Sequence, residues 1–205
     1  FSIWTDTLSE NDAASKLLPE IFSDTYMAIH FAAMGLYKYA NMCLRSELEN
    51  TLRLVFFSTH PVEFKWWSEG KKIFGITGKK HVWGDDYRYF ENLEKIKIFD
   101  SKVGSTDKLF IKVQDYYNTL SSYVHTSSSS FQTRPGSISP KYQIGLFSAW
   151  YSAFNKMQDN IHIILILTFF TEFKSASQHN QDDIITNGIN YQNYKEKILE
   201  IIQAP

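Results

Sequence analysis

The sequence predicts an all-α fold, a single helical bundle of about five to seven helices. Three observations carry this expectation. Apolar residues recur at intervals of three and four along most of the chain, the spacing of one helix face. Alternating patterns of the kind a half-buried strand requires are scarce. The dense clusters of Gly, Pro and Ser fall between periodic stretches, as connections do. At 205 residues, 43% hydrophobic and 21% charged, the chain buries a sizeable core and is too apolar for wholesale disorder. No internal repeat and no break demands a second unit, so residues 1–205 read as one helical domain.

Residues 1–18 read as an irregular or partly helical lead-in. Pro19 suits the first turn of a helix, where a missing N–H costs nothing. From Glu20 to Thr59 there is no proline and only one glycine, Gly35, so two helices are expected, at about 19–34 and 36–59. The second is the clearest element, with Tyr37, Ala40, Leu44, Leu48, Leu52 and Val55 forming one stripe. Pro61 ends it, and 62–69 reads as a short helical turn holding Trp66 and Trp67. Adjacent tryptophans commonly anchor a loop to a core. Residues 70–86 carry Gly70, Gly75, Gly78 and Gly84 and read as an irregular insertion. A short helix is expected at 87–97. Ser105 or Thr106 is positioned to cap the next helix, 106–125, whose inner face is Leu109, Val113, Tyr116, Leu120 and Val124. The Ser/Thr-rich stretch 126–140, with Pro135, Gly136 and Pro140, is a second irregular insertion, long enough to be functional. A long helix follows at 144–175, on Leu146, Trp150, Phe154, Met157, Ile161 and Leu165. After a turn at 175–181 and an unassigned stretch at 182–190, an amphipathic helix at 191–203 closes the chain. Its inner side is Tyr194, Ile198, Ile201 and Ile202.

Composition removes several classes of function. Lys plus Arg total 21 against 22 Asp plus Glu, so the chain is not a globally basic nucleic-acid binder. One cysteine, Cys43, excludes an intrachain disulfide framework and a Cys-cluster zinc site. There is no Walker loop, no Rossmann glycine fingerprint, no H-E-x-x-H, no helical Glu-x-x-His and no G-x-S-x-G elbow. No metal and no cofactor is expected. The greasiest stretch, 161–170, is ten residues long, against about 20 for a bilayer span, and reads as a buried core helix. No secretory signal is visible in the first residues. A cytoplasmic protein is expected, with no membrane partner, in keeping with the lone thiol.

Three groups are candidates for chemistry. Arg45, Glu49 and Arg53 stand one helical turn apart. They read either as a surface ladder of ion pairs or as an arginine held by Glu49 to grip a phosphate or carboxylate. Tyr117, Ser121 and His125 share a row spaced by four, two hydroxyls and an imidazole. His125 is a general acid or base in one reading and a C-terminal His bonding the last carbonyls in the other. The stretch 65–80 carries Lys65, Lys71, Lys72, Lys79 and Lys80 with interleaved aromatics. Lys71, Lys72, Lys79 and Lys80 are the candidate RNA contacts there. His162, inside the greasy run, reads as a hydrogen-bonded core residue.

Arg45-Ser-x-x-Glu49 on an early long helix, the His60-Pro61 step, and Leu120-Ser-x-Tyr-Val-His125 on a later helix resemble uncharacterised bacterial helical proteins related to the HEPN superfamily. Many of that superfamily act in toxin–antitoxin and antiphage defence systems. The helix order is similar over roughly residues 20–175, and the motifs cover fewer than 20 positions. The resemblance implies a HEPN-like bundle acting on RNA as a metal-independent ribonuclease, and a homodimer with a composite site. On this reading His125 is the acid or base, Arg45 stabilises phosphate charge, Glu49 orients Arg45, and Ser121 and Tyr117 position the scissile group. Catalytic HEPN ribonucleases carry an Arg, then four to six intervening residues, then the His on one helix. Here positions 118–120 are Asn, Thr and Leu, so the arginine must come from another helix. A non-catalytic helical module binding a partner protein or small ligand accounts for the missing pattern equally well. The 33 aromatics would furnish its contact surface.

Overall fold

The computed structural model describes residues 2–71, 93–125 and 142–203, with the side chain of His125 outside that set. Every described element is helical: α1 (Ser2–Thr7), α2 (Asp12–Ala33), α3 (Tyr37–Phe57), α4 (Pro61–Ser68), α5 (Glu94–Lys102), α6 (Leu109–His125), α7 (Ile144–Thr168), α8 (Phe170–Ser175), α9 (Gln178–Gly188) and α10 (Gln192–Gln203), with a 3₁₀ turn at Ser105–Asp107. There are thus ten α-helices among the described residues, against the five to seven that periodicity predicts. The surplus is short pieces that carry too few turns to show a period. Most of both insertions (72–86 and 126–140) and residues 87–92 of the expected short helix lie outside the described residues.

The lead-in is partly helical, with a turn between α1 and α2. α1 drives Trp4 fully into the core against Phe173 of α8, ring centroids 6.2 Å apart. α2 starts at Asp12, seven residues before Pro19, because Asn11 caps it: its Oδ1 accepts the Ala14 N–H at 3.0 Å. Pro19 therefore sits inside the helix, on its exposed side. There the Ser15 carbonyl that it leaves without an N–H partner faces water, which softens the usual interior penalty.

α2 and α3 form an antiparallel hairpin. Gly35, at φ 78°, ends α2: its N–H reaches the Ala32 carbonyl (2.9 Å) and the Leu36 N–H reaches that of Phe31 (2.8 Å). This double bond closes the helix end and needs a left-handed residue at position 35. Buried Ala28 and Ala32 on α2 and Ala40 on α3 are small enough for a close approach of the two backbones. The α3 stripe is as the spacing predicts, with Ala40, Leu44, Leu48, Leu52 and Val55 all essentially inaccessible.

Pro61 opens α4 at its first position, and Phe64 and Trp67 pack on Phe57 at centroid distances of 5.7 and 5.3 Å. Trp66 is 44% exposed, while Trp67, 36% exposed, rests one face on the core through Phe57. α5 begins at Glu94 and buries Ile96 and Phe99. Its Asp100 carboxylate accepts the Leu109 N–H at 2.7 Å. This contact, and not one from Ser105 or Thr106, serves the start of α6, because the 3₁₀ turn displaces those two from the helix end.

The long helix predicted at 144–175 is divided at Phe169 (φ −104°, ψ 44°) into α7 and α8. No Gly or Pro marks the break. The second half of α7 is buried on nearly every side, with Ile161, Ile163, Ile164, Leu165 and Ile166 at zero exposure. No described helix is long and apolar enough to cross a membrane. Ser177 caps α9, which occupies most of the turn and unassigned stretch. The buried Asp159 carboxylate then holds the α9–α10 turn, accepting from Asn190 N (2.6 Å), Asn190 Nδ2 (3.0 Å) and Tyr191 N (3.1 Å). α10 docks through Tyr194, Ile198 and Ile201 as its pattern predicts, with Tyr194 edge-on to Phe99.

His162 is hydrogen-bonded inside, its Nδ1 2.9 Å from the Gln158 carbonyl, and burial pushes its pKa down to about 4. Gly188 lies against its ring: a Cβ there would fall 2.5 Å from Cδ2 and 2.8 Å from Cγ. Gly188→Ala is therefore expected to lower stability by roughly 1–3 kcal/mol, as overpacking does. Urea denaturation checks it; a variant as stable as the parent would mean that the ring moves aside freely.

Candidate functional site

α3 supplies a ladder of charged side chains on the flank beside its buried stripe. Arg45 Nε and Nη2 both lie 3.1 Å from Glu49 Oε1, a shared contact with one oxygen rather than a two-oxygen fork. Glu49 Oε2 lies 3.6 Å from Arg53 Nη2. Arg45 and Glu49 are about 20% exposed and Arg53 40%, so the ladder is half-buried and open to ligands on one side.

The ladder is tied to α6. Arg45 Nη2 donates to Tyr117 Oη at 3.0 Å, and the guanidinium carbon lies 5.1 Å from the Tyr117 ring centroid. Tyr117 is 2% exposed. Of the two neighbouring tyrosines, Tyr117 enters the core and Tyr116, which the spacing places on the inner row, is half-buried. Tyr117 thus holds Arg45 in place, and its hydroxyl is engaged in doing so. One turn on, Ser121 Oγ has no access to water and, among the described residues, no hydrogen-bond partner. His125 is the last residue of α6, two turns beyond Tyr117; its side chain lies outside the described residues. The axial separation of positions 117 and 125 is about 12 Å at the usual rise.

The ladder also runs back to α2. Arg53 Nη1 donates to Asn50 Oδ1 at 2.8 Å, and Asn50 Nδ2 donates to Asp24 Oδ2 at 3.1 Å. Burial raises the Asp24 carboxyl above its ordinary pKa, against hydrogen bonds from Ser46 and Asn50 that lower it. Two arginines face two carboxylates, so the connected set sums to no net charge when Asp24 is ionised. A phosphate arriving there must use guanidinium N–H groups that Glu49 and Tyr117 leave over.

On the inner side of α3, a second cluster escaped the sequence reading. Glu47 is completely buried. Its Oε1 accepts from Thr25 Oγ1 of α2 and from Gln158 Nε2 of α7, both at 2.7 Å, while Oε2 has no partner among the described residues. Burial pushes its pKa up to about 8. The signal for it was available: Glu47 falls between Leu44 and Thr51 on the buried side of α3, where an acid stands out from its apolar neighbours.

Lys71 is exposed and ion-paired with Glu69. Lys72, Lys79 and Lys80 lie outside the described residues. Among the described residues no group of three His, Cys, Asp or Glu is arranged to hold a metal. No family model, curated protein or solved structure matches the chain.

Proposed function

We propose that the chain is a HEPN-like helical protein of the defence or toxin kind that acts on RNA, cleaving it without a metal ion. The observation that carries the reading is the junction of Arg45, Glu49 and Tyr117 across α3 and α6. It ties the Arg45–Glu49 segment to the helix, α6, that carries the Leu120–His125 segment. Glu49 and Tyr117 hold the guanidinium still, which is what charge stabilisation at a phosphate requires. His125, at the end of the same helix row, takes the proton of the attacking ribose 2′-hydroxyl or protonates the leaving oxygen. The test is cleavage of mixed cellular RNA in EDTA by the wild-type protein, Arg45→Ala and His125→Ala, with circular dichroism to monitor folding. Each variant is expected to lose about 100-fold or more in rate. Wild-type protein that leaves RNA intact, or a folded His125→Ala that cleaves normally, overturns the ribonuclease.

A second reading is favoured by two observations. The two turns between Tyr117 and His125 are long for one phosphate to touch both Arg45 and His125. α2 also exposes Phe22, Tyr26 and Ile29 in one row, at 54%, 61% and 46%. Such a row suits a non-catalytic module that docks a partner protein. Intact RNA in the cleavage assay would leave this reading in place.

A further inference from the structure

Glu49 does not place Arg53. The Arg53 Nη2 to Glu49 Oε2 separation of 3.6 Å is an ion pair too long for a hydrogen bond, whereas Arg45 meets the other oxygen at 3.1 Å. Asn50 is what aims Arg53: its Oδ1 accepts from Arg53 Nη1 at 2.8 Å. Asn50 is 8% exposed, and the end of its amide that faces Arg53 is fixed from behind. The Asp24 carboxylate of α2 can only accept when ionised, so it draws the Asn50 NH₂ at 3.1 Å and leaves the carbonyl oxygen for the guanidinium. Ser46, one turn before Asn50, bonds the same carboxylate.

This arrangement costs stability. Burial raises the Asp24 carboxyl above its ordinary pKa, so the fold desolvates an acid, and an amide with it, to hold a guanidinium that is itself 40% exposed. A surface ion pair contributes little and needs no such support. What the arrangement leaves over is a set of donors. A guanidinium carries five N–H groups in a planar fork. Among the described residues Arg45 Nη1 and Arg53 Nε have no acceptor. The two arginines approach one carboxylate from opposite ends of the ladder, Arg45 at Oε1 and Arg53 at Oε2. The interval between them is thus set by a single small anion. A phosphodiester presents two free oxygens in the same way, and guanidinium forks match it. Glu49 offsets only one of the two positive charges, and Asp24 reaches Arg53 only through Asn50.

We propose that Arg53 is a second phosphate contact of the site, positioned by Asn50 and Asp24, and that with Arg45 it grips one backbone phosphate of RNA. The proposal rests on the RNA reading above, and it assigns to the ladder the sugar-phosphate backbone of that substrate.

The test is fluorescence anisotropy in EDTA with a labelled twelve-nucleotide oligo(U), repeated over a series of salt concentrations. The proteins are wild type, Arg45→Ala, Arg53→Ala, Arg53→Lys and Asp24→Ala, with circular dichroism to monitor folding. Arg53→Ala is expected to lose about tenfold in affinity and to reduce the slope of log affinity against log salt by about one. Arg53→Lys keeps the charge without the fork, so it should restore the slope and not the affinity. Asp24→Ala removes a negative charge, which by its field alone would tighten RNA binding; with Arg53 no longer aimed, binding should instead weaken about threefold. Arg53→Ala or Arg53→Lys binding as tightly as wild type, or a folded Asp24→Ala that binds more tightly, overturns the proposal. If Asp24→Ala does not fold, the two Arg53 variants decide, since that side chain is half-exposed. Where Arg45→Ala weakens binding and the Arg53 variants do not, the RNA reading stands without Arg53. If the wild-type protein binds no RNA, both fall together.

Discussion

Replacing Glu47 by Gln should raise the stability of the protein by about 2 kcal/mol at pH 7 and by about 3 kcal/mol at pH 9. The folded chain holds this carboxyl neutral, with a pKa of about 8 against an ordinary 4.5. Between those two values the unfolded chain ionises and the folded chain does not. The folded state therefore binds more protons, and stability falls as pH rises through that window, by about 1.4 kcal/mol per unit. The full contribution is present below pH 4.5, and the loss levels off above pH 8. Asp24 and Cys43, the acids nearest to it, are also raised by burial, so they slope the same way, Asp24 at the acid end and Cys43 at the alkaline end. A glutamine keeps an acceptor for Thr25 and Gln158, and its amide occupies the place of the unpartnered Oε2. It forfeits part of the gain because that amide finds no acceptor.

His162 supplies the opposite limb. Its pKa is lowered to about 4, so the unfolded chain takes up a proton below pH 6.5 that the folded chain refuses. Its contribution is complete above pH 6.5 and is lost as pH falls toward 4. In the wild-type protein the two slopes cancel between about pH 4.5 and 6.5, leaving a plateau, and stability declines from 6.5 to 8. In Glu47→Gln the decline from pH 6.5 to 8 disappears, so stability climbs to pH 6.5 on the histidine limb and stays level to about pH 8. Guanidinium denaturation from pH 5 to 9 distinguishes the two shapes. A wild-type curve that is flat from pH 6.5 to 8.5 would mean that Glu47 is ionised in the fold.

What the sequence revealed, and what it hid, follows from the range of each interaction. The α3 stripe and the inner face of α10 were legible because burial of a single helix face repeats at a fixed spacing. Pro61 and Gly35 were legible because each acts on its own backbone. The start of α2 was misplaced because Pro19 is a strong local marker, while the cap at Asn11 is one polar residue among several near it. The Asp100 contact at the start of α6 spans nine positions and exists only once α5 and α6 have packed. Arg45 and Glu49 were legible as an i,i+4 pair. Their tie to Tyr117 was not, because it crosses 72 positions and depends on which of two adjacent tyrosines turns inward. Glu47 was the one hidden residue that periodicity alone marked, as an acid on the buried side of α3.

Asp159 makes the second large prediction, and its removal should cost about 3–5 kcal/mol. It is 3% exposed, and its carboxylate gathers three N–H donors from the α9–α10 turn. In Asp159→Ala those donors lose their acceptor where little water reaches. Two of them are backbone groups that cannot turn away, so the turn itself must open. The consequence is directional. α10 is held at its start by this turn, and farther along by the Tyr194 hydroxyl on the Asp107 carbonyl and by Ile198 in the core. Freed at the turn, α10 should fray before the rest unfolds, exposing the side of α5 that carries Phe99. Hydrogen exchange should quicken over 192–203 well before it does over α3. Asp159→Asn keeps the volume and one acceptor, but sets its NH₂ against one of the donors, so it should recover only part of the loss. An alanine variant within about 1 kcal/mol of the parent would sink this account. It would mean that water replaces the carboxylate at all three donors, and that α10 is held by its apolar face alone.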